Sequence, residues 1–185
     1  MALSGIYDIF QHWGKQTVWI YSDPHFGNNS NIKDWPSDEE QIAAINSCVG
    51  RKDTLILLGD VGNLESAKRL KGYKILICGN HDSGATIYKE IFNEVYTGPL
   101  IIGDKLILSH EPIPNLDWAV NIHGHVHDPR VKNDKNHFNV CSNTIGFKPI
   151  HFNKWLKEGH FSKIESLHRK TIDKATERKE KRKKK

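Results

Sequence analysis

The sequence predicts an α/β fold, because short apolar segments of strand type alternate along the chain with segments of helical periodicity. Two of these segments, 54–58 and 74–78, are almost continuously apolar, which is typical of buried strands. The length of 185 residues suits a single domain. A domain of this size buries about 70% of the surface that its unfolded chain exposes, so it can fold without disulfides or a structural metal.

The elements at the N-terminal end follow from residue spacing and from residues that begin helices. Apolar residues at helical spacing predict a short amphipathic helix over residues 6–13. A β-branched and aromatic segment predicts a strand over 17–21, and the Asn, Pro, Gly and Ser of 22–37 predict a long loop. Ser37 or Asp38 can cap a helix that runs to about Val49.

The rest of the chain continues this alternation without an internal repeat. We expect strands over 54–58, 74–78, 119–122 and 138–141, helices over 65–70, 85–95 and 152–157, and a hairpin formed by 100–102 and 105–108 around Gly103 and Asp104. The order of these elements is that of an α/β domain.

The cysteines and the first residues predict a cytoplasmic protein. Cys48, Cys78 and Cys141 are odd in number and far apart, so they indicate a reducing compartment and no disulfide framework. The first residues have neither the basic nor the apolar region of a secretory signal. No apolar segment approaches the roughly 20 residues that a membrane span needs, so we expect no membrane partner.

The positive charge of the chain is concentrated at its C-terminal end. Residues 163–185 contain 11 Lys or Arg against 4 Asp or Glu, a formal charge of +7, whereas residues 1–162 carry −2. We therefore predict a globular domain over 1–162 and a basic tail over 163–185, partly helical or disordered. The tail is either a solvated end or a segment that binds nucleic acid or another polyanion.

Side chains that bind metals follow the predicted strands at the points where the strands end. Their positions are Asp23 and His25, then Asp60, then Asn80, His81 and Asp82, then His110, and finally His125 and His127. In open α/β sheets, ligands bind in the crevice at the carboxyl ends of the strands. Five strand ends that deliver Asp, His and Asn to one rim therefore predict a metal site.

The residue types in this set indicate divalent cations. Imidazole nitrogens are combined with carboxylate and amide oxygens and with no cysteine, which suits Mn²⁺, Zn²⁺ or Fe better than Cu(I) or an iron–sulfur cluster. One catalytic ion needs only three or four ligands. The larger set fits two ions that share one carboxylate, at a separation of about 3.5–4 Å.

The same residues resemble the motifs of the calcineurin-like metallophosphoesterases. The blocks that carry the resemblance are Asp23-Pro24-His25, Gly59-Asp60, Gly79-Asn80-His81-Asp82, His110 and Gly124-His125-Val126-His127, in the order of that family. The resemblance implies a four-layer αββα sandwich with its metal site at the carboxyl ends of the strands. The chain is most similar to small stand-alone bacterial and phage-type phosphoesterases, although Asn28 stands where these often have a histidine.

The resemblance also implies a role for each residue. The ligands of the first ion would be Asp23, His25 and His127, and those of the second ion would be Asn80, His110 and His125. Asp60 would bridge the two ions. His81 would stay off the metals and protonate the leaving group, and Asp82 would orient the His81 ring. The two ions would be divalent, with Mn²⁺ favoured and Zn²⁺, Fe or Ni²⁺ as alternatives.

These residues predict a metal-dependent phosphodiesterase or phosphomonoesterase that acts on nucleotides or other small phosphate esters. Two cations would generate a bridging hydroxide and neutralise charge on the phosphoryl oxygens. A nuclease or RNA-processing enzyme recruited by the basic tail is one alternative, and a non-catalytic scaffold of the same fold is another. The scaffold is disfavoured because His81 and every implied ligand are present. The chain is too short for a large cap domain, so we expect an open site with the loop 26–37 as its main wall.

Overall fold

The structure is a computed structural model that describes residues 17–28, 34–102, 105–161 and 164. The helix predicted over 6–13, the turn at Gly103 and Asp104, and the basic tail apart from Ile164 lie outside these ranges. Within the described ranges, no helix combines the length and the apolar character that a membrane crossing requires.

Strands and helices alternate along the described part of the chain. The strands are β1 (Val18–Tyr21), β2 (Thr54–Leu57), β3 (Tyr73–Ile77), β4 (Glu94–Tyr96), β5 (Leu100–Ile102), β6 (Leu106–Ser109), β7 (Val120–His123), β8 (His137–Asn139) and β9 (Ile150–His151). The helices are α1 (Asp38–Cys48), α2 (Leu64–Lys68), α3 (Ala85–Tyr88) and α4 (Phe152–Lys157), and a 3₁₀ turn spans Ser142–Thr144.

The strands form two mostly parallel sheets. The first sheet has the order β4-β3-β2-β1-β9, in which β1 to β4 are parallel and β9 is antiparallel to β1. The second sheet has the order β5-β6-β7-β8, in which β6 to β8 are parallel and β5 is antiparallel to β6. Because parallel strands end at the same edge of a sheet, the loops after them are gathered there.

The main apolar core lies between the two sheets, so the molecule is an α/β sandwich. Alternate residues of β1, β2 and β3 pack against residues of β6 and β7. Ile20, Ile56 and Ile122 are representative and are fully buried. The core continues to Ile164, which is 4% exposed and whose carbonyl accepts a hydrogen bond from Lys105 Nζ at 2.6 Å.

Different elements cover the outer faces of the two sheets. α1, α2 and α3 cover the first sheet, through residues such as Ile45, Ala67 and Tyr88. The segment 111–119 covers the second sheet by packing Leu116 near Ile107, and it contains no helix. α4 packs at the border of the central core. The α/β sandwich predicted from the sequence is confirmed, and its outermost layer over the second sheet is a loop in the described residues.

The prediction of a helix over 85–95 is wrong for the second half of that range. α3 ends at Tyr88, and the chain then enters the first sheet as β4, parallel to β3. Asn93 joins the chain to β3 just before β4 begins. Its side chain accepts a hydrogen bond from the Lys74 amide, and its own amide donates to the Lys74 carbonyl, both at 2.8 Å. Val95 and Tyr96 then extend the sheet, which suits their β-branched and aromatic side chains.

Helix α1 is tied to the turn that follows β1 by a buried side chain, Gln41. Ser37 caps the helix and forms a capping box with Glu40. One turn further on, Gln41 is 1% exposed and donates from Nε2 to the carbonyl of Pro24 at 3.0 Å. Its Oε1 accepts a hydrogen bond from the Tyr21 hydroxyl at 3.2 Å. The helix therefore fixes the backbone between the first two predicted metal ligands.

We expect Gln41→Ala to lower the free energy of unfolding by about 1–3 kcal/mol, because it removes a hydrogen-bond partner of the buried Tyr21 hydroxyl and of the Pro24 carbonyl. Ser47→Ala is the matched control, since Ser47 lies in the same helix and its exposed hydroxyl contacts neighbours in that helix, the Ala44 carbonyl and the Cys48 thiol. Urea denaturation of the three proteins measures the difference. Equal stabilities of Gln41→Ala and Ser47→Ala would contradict the role given to Gln41.

Candidate metal centre

All seven predicted metal ligands lie at the edge where the parallel strands end. The strands that precede them are β1 for Asp23 and His25, β2 for Asp60, β3 for Asn80, β6 for His110, and β7 for His125 and His127. The structure brings their side chains into two neighbouring groups of ligand atoms, with one carboxylate between the groups.

The first group consists of one carboxylate oxygen and two ring nitrogens. Asp23 Oδ1 lies 3.4 Å from His127 Nε2 and 3.9 Å from His25 Nε2, and the two nitrogens are 3.2 Å apart. Asp23 is fully buried, and within the described residues its Oδ1 accepts no hydrogen bond. Because a buried carboxylate oxygen is costly unless a donor or a cation meets it, this position fits a metal ion.

The second group consists of an amide oxygen and two ring nitrogens. Asn80 Oδ1 lies 2.8 Å from His110 Nε2 and 3.1 Å from His125 Nδ1. The two ring nitrogens are themselves 3.1 Å apart. Three ligand atoms that converge in this way can bind one divalent cation.

Asp60 stands between the two groups. Its Oδ2 lies 3.6 Å from His25 Nε2, in the first group, and 3.5 Å from His110 Nε2, in the second. The side chain is 2% exposed. Ligand atoms of Asp23, Asp60 and His110 also lie within 4.8 Å of one another, so the two groups are contiguous.

Each of the two carboxylates has one oxygen fixed by a backbone amide. Asp23 Oδ2 accepts a hydrogen bond from the amide of His125 at 2.9 Å, and Asp60 Oδ1 accepts one from the amide of His81 at 3.0 Å. The other oxygen of each carboxylate therefore faces the histidine rings. One ligand loop thus orients the carboxylate of another.

Two of the histidine rings are fixed through the nitrogen that faces away from the groups. His110 Nδ1 lies 2.7 Å from the carbonyl of Leu58, which can only accept a hydrogen bond, so Nδ1 is the donor and Nε2 is the nitrogen that faces the ligand groups. His127 Nδ1 lies 3.2 Å from Cys141 Sγ, and this thiol donates to Asn143 Oδ1 at 3.3 Å. Contacts of this kind orient metal-binding histidines and set their tautomer.

The electrostatic environment of the first group links Asp23 to His127. Burial alone would raise the pKa of the Asp23 carboxyl. The nearby His127 ring, the Ser22 hydroxyl, the His110 ring and the His125 amide outweigh burial and hold the pKa below its usual value. The Asp23 carboxylate in turn raises the pKa of His127. Burial lowers the pKa of His25. A cation that enters the first group therefore competes with a proton on His127.

The backbone of the ligand loops is strained. Asp23, His25, Asp60 and His125 have φ between 44° and 65°, in the left-handed region that residues other than glycine rarely adopt. Such residues cluster at functional sites, where the surrounding contacts maintain them. Close packing adds to the constraint, since a Cβ on Gly124 would lie 1.9 Å from Ser22 Oγ and 2.2 Å from Asp23 Oδ2.

Asp82 has a different position from the one predicted. Its carboxylate does not contact the His81 ring, because four other donors occupy it. They are the amides of Asp60 (2.9 Å), Gly79 (2.7 Å) and Val61 (3.0 Å) and the hydroxyl of Tyr88 (3.0 Å). Asp82 therefore holds together the turns that carry Asp60 and Asn80. The His81 ring is exposed, with its centroid 5.9 Å from that of His25.

An aromatic pair, Trp35 and Phe147, lies beside the first group. The Trp35 ring is 5.8 Å from the ring of His127 and 6.1 Å from that of His25, measured between centroids. Phe147 packs edge-on against Trp35 at 5.1 Å and has a strained φ of 56°. Of the loop 26–37, expected as the main wall of the site, the described part places Trp35 at this position. The contributions of Phe147 and Cys141 have no signal in the sequence.

Comparisons with known proteins give a similar fold and no family. No protein-family description and no curated protein matches the chain. A solved protein of unknown function from Aquifex aeolicus is 25% identical, with a TM-score of 0.61 over 77% of this chain and 98% of that one. The nuclease MPE from Pseudomonas putida is 20% identical, with a TM-score of 0.46 over 62% of this chain and 66% of that one. A similarity as low as the second does not extend to activity.

We expect Cys141→Ala to weaken metal binding by about tenfold or more, because it removes the contact that orients the His127 ring. Cys141→Ser puts a hydroxyl in place of the thiol, which can make the same contact, and should retain most of the affinity. Cys48→Ala is the matched control, since Cys48 lies on α1 and is absent from both groups. Titration with Mn²⁺ in competition with a chelating dye measures the affinities, and an unchanged affinity of Cys141→Ala would contradict this role.

Proposed function

We propose that this protein is a metal-dependent phosphoesterase of the calcineurin-like metallophosphoesterase type, and that it hydrolyses phosphate esters with two divalent cations. The observation that carries the proposal is the position of Asp60 Oδ2, between His25 Nε2 at 3.6 Å and His110 Nε2 at 3.5 Å. A carboxylate oxygen between two groups of nitrogen and oxygen ligands suits a pair of ions that share it.

The donor atoms favour the assignment of ligands that the motifs imply. The first ion would be held by Asp23, His25 and His127, the second by Asn80, His110 and His125, and both by Asp60. Imidazole, carboxylate and amide donors without thiolate favour Mn²⁺, with Zn²⁺, Fe or Ni²⁺ as alternatives. Two such ions, when bound, lower the pKa of a water molecule and neutralise charge on phosphoryl oxygens.

His81 is the group that we assign to the leaving-group oxygen. Its amide donates to Asp60 Oδ1 at 3.0 Å, so the residue is attached to the carboxylate that would bridge the ions. Its ring is exposed at the rim of the site and belongs to neither group of ligand atoms. An imidazole held there can give a proton to the departing oxygen, a contribution of typically about 10²–10⁴-fold in rate.

The substrates that we propose are small phosphate esters, nucleotides among them. A nuclease recruited by the basic tail stays an alternative that rests on the sequence alone, because the tail lies outside the described residues apart from Ile164. A scaffold without activity would have no need of buried, strained carboxylates at a strand edge. The ligand set therefore favours an enzyme.

Asp60→Asn should abolish hydrolysis and lower the occupancy of both ions, because the amide removes the charge that the two groups share. Asp128→Asn is the matched control, since its carboxylate is close in sequence to His127 and pairs with Arg130 instead. Metal analysis and hydrolysis of bis-p-nitrophenyl phosphate measure the two effects. If Asp60→Asn retains two ions and full activity, Asp60 is not the shared ligand.

His81→Ala should retain the metal content and lose most of kcat. The loss should be larger for alkyl or nucleoside esters than for p-nitrophenyl esters, because p-nitrophenolate hardly needs a proton to depart. Parallel kinetics on both kinds of ester, with metal analysis of each preparation, test this. An equal loss on both would show that His81 is not the proton donor.

A further inference from the structure

A cavity of about 410 Å³ borders the second group of ligand atoms. It is formed by three segments, 77–80 at the end of β3, 97–99 between β4 and β5, and 109–114 after β6. Asn80 and His110 are part of its lining, so it adjoins two of the proposed metal ligands. Its volume is in the range of sites that bind small molecules, about 300–1,000 Å³.

Part of the wall of this cavity is apolar and rigid. Pro99, Pro112, Ile113 and Pro114 supply much of the lining, and the fixed φ of proline limits the movement of these segments. The backbone of Ile113 is held on both sides. Its amide donates to Asn121 Oδ1 at 2.8 Å, and its carbonyl lies 2.8 Å from the His137 ring nitrogen Nε2. The cavity is therefore formed before any ligand binds.

The charged lining of the cavity has one sign. Glu111 is exposed and belongs to the lining, and the described residues that line the cavity include no Lys or Arg. The hydroxyl of Ser109, also in the lining, already donates to the Glu111 carbonyl at 2.6 Å. A second phosphate or a carboxylate in this cavity would meet the like charge of Glu111, without a compensating Lys or Arg among the described lining residues.

We propose that this cavity binds the organic group esterified to the phosphate, and that it selects an uncharged, compact group such as an aryl ring or a nucleoside. The proposal rests on the proposed function, because it assumes that the phosphate lies on the two groups of metal ligands. Glu111 acts here as a specificity residue that excludes anionic groups. Substrates whose esterified group carries further phosphates, such as nucleoside polyphosphates or a nucleic-acid strand, are disfavoured.

The test compares two inhibitors, phenylphosphonate and 4-phosphonobenzoate, which differ by one carboxylate in the para position of the ring. Their inhibition constants are measured against hydrolysis of bis-p-nitrophenyl phosphate by the metal-loaded wild-type protein, Glu111→Gln, Glu111→Lys and Glu90→Lys. The last variant is the matched control, because Glu90 is exposed, does not line the cavity and undergoes the same change of charge. Thermal melts and metal analysis of each protein accompany the kinetics.

We expect wild-type protein to bind phenylphosphonate about tenfold tighter than 4-phosphonobenzoate, since like charges in contact repel by more than a kcal/mol. Glu111→Lys should abolish or reverse this preference, Glu111→Gln should reduce it, and Glu90→Lys should leave it unchanged. The same ratio in wild-type protein and Glu111→Lys would overturn the proposal, as would an equal effect of Glu90→Lys.

The same measurements distinguish a failure of the proposed function from a failure of the cavity proposal. If the metal-loaded wild-type protein hydrolyses no phosphate ester, the enzymatic assignment fails. The dissociation constants of the two phosphonates, measured by calorimetry on the same proteins, then still decide whether the cavity selects by charge. If hydrolysis is present and the ratio does not respond to Glu111, the cavity proposal alone fails.

Discussion

Two buried carboxylates that face one another are the constraint on which the site depends. Asp23 is fully buried and Asp60 is 2% exposed, and their ligand atoms lie within 4.8 Å of each other. At this distance, like charges repel by roughly 3.5 kcal/mol at an effective dielectric constant of about 20. Within the described residues, the ion-pair partners of these two carboxylates are histidines, without Lys or Arg. Divalent cations are the groups that would neutralise such a pair, which is why we favour a metal centre over a network of structural hydrogen bonds.

The fold keeps these charges in place through backbone contacts. The amides of His125 and His81 each fix one oxygen of a carboxylate, and strained turns point the ligands towards each other. Asp82 joins the turns after β2 and β3, and Gln41 joins the turn after β1 to helix α1. Because these supports come from different strands and from both sheets, the geometry of the site depends on the whole sandwich. A small change in one loop therefore affects ligands on another.

Much of this arrangement could be predicted from the sequence, for a physical reason. Strand ends bring side chains to one edge when strands are parallel, so Asp, His and Asn after apolar segments indicate a shared site before any coordinates are known. The part that could not be predicted depends on contacts between distant segments. Asp82 was expected to orient His81, yet its carboxylate binds three backbone amides and Tyr88. The same holds for the contact of Cys141 with His127 and for strand β4, which pairs with β3. Both depend on a segment that is distant in sequence and not on local propensity.

The central claim is that two ions share Asp60, and anomalous diffraction tests it most directly. Crystals grown with Mn²⁺ would be measured above and below the manganese absorption edge. We predict two anomalous peaks about 3.5–4 Å apart, one beside Asp23 and His127 and one beside Asn80 and His110, with Asp60 Oδ2 within bonding distance of both. A single peak, or two peaks that Asp60 does not join, would contradict the account.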